Sequence, residues 1–242
     1  MDFPSLTQQY HRDVYDSIRA DRPELSVSGK RVVITGGAGG IGSATARAFL
    51  TAGAASVFLL GRMKATLDAA ASTLRNDFPK ASVTPIVSDI RDPDGVTKAF
   101  DQIAIEGPID VFIANAGAAS KYASTADSDP ADWWNAVEIN VRGCFLTAHA
   151  ALKNIAADGV VINVSSGVAH LQFVPGTSAY STSKIATAKL FQDIQYENPG
   201  LRVFSIQPAV EQSTEMASKY NDQGFTRFPD EMQNSCRWKH IL

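Results

Sequence analysis

The chain has 242 residues, 45% of them hydrophobic, enough to bury a sizeable core within one α/β domain. Lys plus Arg total 22 against 25 for Asp plus Glu, and the resulting charge of −3 offers no global basic field for nucleic acid or an anionic membrane. The two cysteines, Cys144 and Cys236, have no ligand spacing, which argues against a disulfide framework or a metal site and for the cytosol.

No apolar run reaches the roughly 18 residues of a membrane span. The N-terminus lacks a basic region followed by an apolar stretch and a cleavage site, so a cytoplasmic protein, neither secreted nor membrane-embedded, is expected. Asn163-Val164-Ser165 matches the glycosylation pattern but closes an apolar run that reads as a buried strand.

Residues 1–28 read as an N-terminal extension in which the spacing of Tyr10, Val14, Tyr15 and Ile18 predicts a short surface helix, ended by Pro23. From Lys30 onward short apolar runs alternate with helical patterns, the signature of βαβ units. Strands are predicted at Arg31–Thr35, Ser56–Leu60, Val83–Val87, Asp110–Ala114, Gly159–Val164 and Leu201–Ile206. Their lack of polar alternation suits strands covered on both faces. Helices are predicted at about 40–52, 64–77, 93–105, 131–156 and 178–197, with Pro93 and Pro130 near two of the starts. The expected fold is a Rossmann-like doubly wound parallel sheet, three layers αβα, over 29–216. The tail 217–242 is polar or irregular, so the last strand of such a sheet is expected to be missing.

The run Thr35-Gly36-Gly37-Ala38-Gly39-Gly40-Ile41-Gly42 follows a predicted strand and opens a predicted helix, the context that gives a glycine motif its meaning. Glycines permit the tight turn and let N–H groups at the helix start approach a pyrophosphate. About 20 residues on, where an acid would bind the ribose of NAD, the chain has Gly61-Arg62. An arginine there suits a 2′-phosphate, which favours NADP(H) over NAD(H). Asp89 and Asn115-Ala116-Gly117 follow the third and fourth strands, at the carboxyl ends where such sheets bind ligands. Asp89 also fits a helix cap before Pro93, and Asn115 a turn stabiliser.

Downstream lie Asn140, Ser166, Tyr180 and Lys184. A phenol ionises at about pH 10 and an ammonium at about 10.4, so a tyrosine works as a proton donor near neutrality only with help. One helical turn separates Tyr180 from Lys184, close enough for the ammonium to stabilise a phenolate. Ser166 ends the fifth strand and is expected to hydrogen-bond a substrate carbonyl; no histidine or acid follows in an arrangement that would make it a nucleophile. His11, His149, His170 and His240 have no metal-ligand spacing, and His170 is a candidate for the pocket wall. Trp133-Trp134 read as packing residues.

From about Lys30 to Met216 the chain resembles the classical short-chain dehydrogenase/reductases. The resemblance rests on the TGxxxGxG run at Thr35–Gly42, Asp89, the tripeptide Asn115–Gly117, Asn140, the serine of the fifth strand, Tyr180-x-x-x-Lys184 and Pro208. It implies that Tyr180 donates or accepts the proton, Ser166 polarises the carbonyl, Lys184 holds the nicotinamide ribose and Asn140 anchors a relay water. Implied cofactor contacts are Gly36, Gly40, Ile41, Gly42, Arg62, Asp89, Asn115, Gly117, Tyr180, Lys184, Pro208, Val210 and Thr214. A small-molecule ketone, aldehyde or alcohol is the implied substrate, in the manner of secondary-metabolite reductases, and a homodimer formed through the two long helices is the implied assembly. Ala209 stands where the family usually has glycine, and the tail departs from the family pattern. Two other readings keep the fold: a non-redox dehydratase, isomerase or cyclase using Tyr180, Ser166 or His170, and an inactive cofactor-binding protein.

Overall fold

The computed structural model describes residues 14–171 and 175–208. Six runs rich in β-branched and aromatic residues form strands β1 Arg31–Thr35, β2 Ser56–Gly61, β3 Ser82–Val87, β4 Ile109–Ala114, β5 Ile155–Val164 and β6 Arg202–Ile206. All pair in parallel, in the order β3-β2-β1-β4-β5-β6. The order reverses between β1 and β4, which opens a crevice at their carboxyl ends. Pro85 lies within β3, which is tolerable because β3 is an edge strand.

Helices α1 Gly40–Thr51, α2 Lys64–Asp77, α3 Pro93–Ala104, α4 Pro130–Val137, α5 Cys144–Leu152 and α6 Ser178–Glu197 cover the sheet. Successive strand residues point to opposite faces, so β1 to β5 each feed two cores. Val32, Ile34, Val57 and Leu59 pack with Leu50 of α1 and Leu67 of α2. Val33, Phe58 and Phe112 pack with Phe100 of α3, Ala148 of α5 and Phe191 of α6. Phe100 meets Phe112 edge-on, with ring centroids 5.9 Å apart. The doubly wound expectation is met.

Three details differ from the sequence reading. The helix expected over 131–156 ends at Leu152, and β5 begins four residues before Gly159. Ile155 pairs with Ile109 before the register slips to Val160 opposite Val111, so Ala156–Gly159 bulge out of the ladder. Apolar residues run through both elements, and periodicity alone could not divide them. Second, among the described N-terminal residues only short 3-10 turns form, at Asp16–Ile18 and Pro23–Leu25. Pro23 starts a turn where it was expected to end a helix, because its fixed φ suits a first helical position. Tyr10 lies outside the described residues. Third, Asp92, not Asp89, caps α3: its side chain accepts from the Asp94 amide at 3.1 Å.

β6 is an edge among the described residues, with Phe204 53% and Ile206 43% exposed.

Candidate active site

The glycine turn is closed from below by packing that excludes side chains. Gly36 has φ +65°, a left-handed conformation, and a Cβ there would come within 2.9 Å of Asn115 Nδ2. A Cβ on Gly37 would meet Leu59 at 2.9 Å, and one on Gly42 would collide with the Gly36 carbonyl oxygen. Above the turn the situation reverses. Gly39 and Gly40 are exposed, and a Cβ on Gly39 would meet only the Gly36 oxygen, at 3.7 Å. No side chain caps α1 at Gly39, so its first amides, Gly40 and Ile41 among them, face an open surface. This cradle fits a pyrophosphate.

Asn115 holds the turn in place. Its Nδ2 donates to the carbonyls of Thr35 at 2.9 Å and Gly36 at 3.2 Å. The Thr35 hydroxyl accepts from the amides of Asn115 and Ala116, both at 3.0 Å. The turn-stabilising alternative for Asn115 is therefore the observed arrangement, and Thr35 is a partner that the motif reading missed.

Asn140 sits in a π-helical turn, Glu138–Gly143, between α4 and α5. Its amide is buried and committed: Oδ1 accepts from the Ala118 amide at 2.8 Å, while Nδ2 donates to the Ala118 carbonyl and to Ser183 Oγ, both at 2.8 Å. Both Nδ2 hydrogens are thus occupied. Gly117 leaves room at the neighbouring position: a Cβ there would press on Asn140 Oδ1 at 3.1 Å and touch Lys184 Nζ at 3.8 Å.

Lys184 is 7% exposed. Its Nζ donates to the Val164 carbonyl at 2.8 Å and lies 5.4 Å from the Tyr180 ring centroid. That bond ties α6 to the end of β5, two residues before half-buried Ser166, whose carbonyl accepts from the Ala169 amide. Asn140, Tyr180 and Lys184 are thus brought together, with Ser166 following β5 directly. Ser183, adjacent in sequence to Lys184, links the Asn140 helix to α6 and went unnoticed because a helical serine carries no motif.

A second tyrosine lies beside this group. Tyr122 occupies the space that a Cβ on Gly176 would need, at 2.9 Å, and the Ala123 amide donates to the Gly176 carbonyl at 3.4 Å. Burial, and then the charge of a nearby Tyr180 phenolate, push the Tyr122 hydroxyl up to about 12. Cys144 is also pushed to about 12 by burial, with Lys184 opposing.

At the carboxyl ends of β2 and β3, Arg62 is exposed and Asp89 half-buried. Hydrogen bonds from Arg91 hold the Asp89 carboxyl below the usual range against the opposing effect of burial. His170 is exposed and adjoins the turn after Ser166. Trp133 packs as expected, its indole donating to Ser178 Oγ at 3.0 Å, but Trp134 is 61% exposed and does not. Pro208 follows β6, while Val210 and Thr214 lie outside the described residues. Among the described residues no group of His, Cys, Asp or Glu could hold a metal, and no helix is long and apolar enough to cross a membrane.

The family model for short chain dehydrogenases matches residues 30–224. The chain belongs to the short-chain dehydrogenase family. Its members are oxidoreductases that bind a nicotinamide cofactor and act on small-molecule alcohols or carbonyls. This short-chain dehydrogenase is 35% identical over 219 residues to the short chain dehydrogenase mpl6 of Monascus purpureus, covering 86% of this chain and 73% of that one. It is 33% identical to sorbose reductase sou1 of Schizosaccharomyces pombe over 222 residues, covering 89% and 82%. Among solved structures it resembles an alcohol dehydrogenase from the archaeon Thermococcus sibiricus complexed with 5-hydroxy-NADP, with TM-score 0.73, 26% identity and coverage of 79% and 80%. It also resembles an NAD+-bound xylitol dehydrogenase, with TM-score 0.70, 28% identity and coverage of 75% and 70%.

Proposed function

We propose that this short-chain dehydrogenase is an NADP(H)-dependent reductase of a small-molecule ketone or aldehyde, or the reverse alcohol dehydrogenase. The observation that carries the reading is the buried Lys184 ammonium, fixed by the Val164 carbonyl at 2.8 Å and held 5.4 Å from the Tyr180 ring. When bound, the nicotinamide supplies or takes a hydride at the carbonyl carbon.

Tyr180 gives its proton to the oxygen on which negative charge develops, or takes it back in the oxidative direction. Lys184 stabilises the charge left on the phenol oxygen. One of its three N–H groups is spent on Val164, and two remain for ribose hydroxyls. Ser166 donates its hydroxyl to the substrate oxygen. Asn140 works by position: its amide locks the Ala118 segment and Ser183 against the lysine helix, so the relay water expected there has no Nδ2 hydrogen to accept. The cradle at Gly36, Gly40, Ile41 and Gly42 receives the pyrophosphate, with Gly117 beside the nicotinamide half and Pro208 at the end of β6. Arg62, exposed after β2 where an NAD-binding acid would stand, supports NADP(H). Exposed Phe145 on α5 and Ile185 on α6 support pairing of two copies through these helices.

Tyr180→Phe tests the role directly. Turnover falls at least about a hundredfold, the range of one general acid, while NADPH affinity by fluorescence titration stays within about twofold, since no dinucleotide phosphate contact is lost. Retained turnover refutes the assignment.

A further inference from the structure

The Arg62 end of the site holds more guanidinium groups than the motif reading supplies. Gly61 pairs with Val87 and the Ser88 amide donates to the Gly61 carbonyl at 2.9 Å, so Arg62 and Asp89 leave the sheet side by side. Gly37 of the glycine turn donates to the Leu60 carbonyl at 3.1 Å, which places this corner next to the cradle. Asp89 is held by the Arg91 guanidinium. It accepts from Arg91 Nη2 at 2.6 Å, from Nε at 3.1 and 3.2 Å and from the Arg91 amide at 3.0 Å. Arg62 makes no hydrogen bond or ion pair among the described residues, yet its charge also reaches the Asp89 carboxyl.

Asp89 is paired with Arg91 at 2.6 Å and Glu138 with Arg142 at 3.4 Å, so of these three arginines Arg62 is the one with no carboxylate partner among the described residues. Arg91 is also fixed in place: its carbonyl accepts from Arg142 Nη1 at 2.8 Å, and its own Nη1 reaches Asn135 Oδ1 at 3.4 Å. Of the five N–H groups of a guanidinium, Asp89 and Asn135 take three, so each terminal nitrogen of Arg91 keeps one hydrogen to donate. The neighbouring Ser88 hydroxyl is buried with no hydrogen-bond partner among the described residues.

We infer that Arg91, held by Asp89, is a second cation for the adenosine 2′-phosphate of NADP(H), acting together with Arg62. The inference deepens the NADP(H) reading above and rests on it. A dianionic phosphate is bound best by two pre-oriented guanidinium groups, and the Asp89 fork fixes one of them before the ligand arrives. Arg62 alone, exposed and untethered, would lose more side-chain freedom on binding.

The test is equilibrium binding of 2′,5′-ADP and 5′-AMP to the full chain, for the wild type, Arg62→Ala, Arg91→Ala and Arg91→Lys, with circular dichroism to confirm folding. Arg91→Ala is expected to weaken 2′,5′-ADP about tenfold and to change 5′-AMP by less than about twofold, the loss of one charge-assisted contact. Arg91→Lys keeps the charge without the fork and is expected to show a smaller loss, again confined to 2′,5′-ADP. If Arg91→Ala does not fold, Arg91→Lys decides alone. An equal loss for both nucleotides, or no loss while Arg62→Ala weakens 2′,5′-ADP, overturns the inference and leaves the NADP(H) reading standing. A wild type that binds 2′,5′-ADP no better than 5′-AMP removes both.

Discussion

Lys30 and Asp110 show how one carboxylate ties two strand ends together at the amino-terminal edge of the sheet. Asp110 accepts from Lys30 Nζ and from the Arg31 amide, both at 2.8 Å, and so bridges β4 to the start of β1. Burial opposes ionisation of Asp110, but these hydrogen bonds outweigh it and hold the carboxyl below its ordinary value. A carboxyl depressed in the folded state stabilises the fold above its unfolded value of about 3.9 and loses that contribution as pH falls through the folded value. Thermal stability is therefore expected to drop on acidification below about pH 4, with a shallower drop in Asp110→Asn, read from Tm between pH 2 and 7. An identical acid profile in the variant contradicts this. The pair was invisible in the sequence because its members lie far apart in the chain and carry no motif. Tyr180 and Lys184 were legible for the opposite reason: one helical turn fixes their relation before any tertiary contact forms.

Among the elements, the helix that runs from Pro130 to Leu152 with a π turn in its middle does the most to assemble the site. The turn at Glu138–Gly143 carries Asn140 inward, where three hydrogen bonds join it to Ala118 and Ser183. Asn140→Ala leaves the Ala118 amide and carbonyl without these partners, at a cost of about 2 kcal/mol and a fall of roughly 4–8 °C in Tm for a chain of this size. Differential scanning calorimetry checks it, and an unchanged Tm would show that water replaces the amide at no cost. The sequence placed Asn140 on a helix but could not reveal the π turn, since apolar spacing is the same on either side of it. The helix end was misplaced for a related reason: Ile155-Ala156-Ala157 suits a helix as well as a strand, and only pairing with Ile109 decides. Strands β1, β2 and β4 were legible almost to the residue because short apolar runs between glycine and polar breaks have few other uses.

At the scale of the whole molecule, the doubly wound sheet gathers the carboxyl ends of β1, β4 and β5 around one crevice, and the candidate residues sit at its rim. The chain pattern alone shows a doubly wound sheet with these residues at strand carboxyl ends, while the strand order is fixed only by the observed pairing, since right-handed crossovers leave several orders open. Side-chain commitments are another matter. That Asn115 is spent on the glycine turn and Asn140 on Ala118 and Ser183 depends on contacts between segments remote in sequence, while the Asp89–Arg91 fork is local but carries no motif. In the proposed function this crevice moves a hydride while Tyr180 manages the proton. The direct measurement is mass spectrometry of products formed from a panel of ketones and aldehydes with NADPH deuterated at the reactive nicotinamide carbon. The account predicts alcohol products that carry one deuterium at the former carbonyl carbon. NADPH binding with no deuterium in any product, or a product formed with no net reduction, would contradict it.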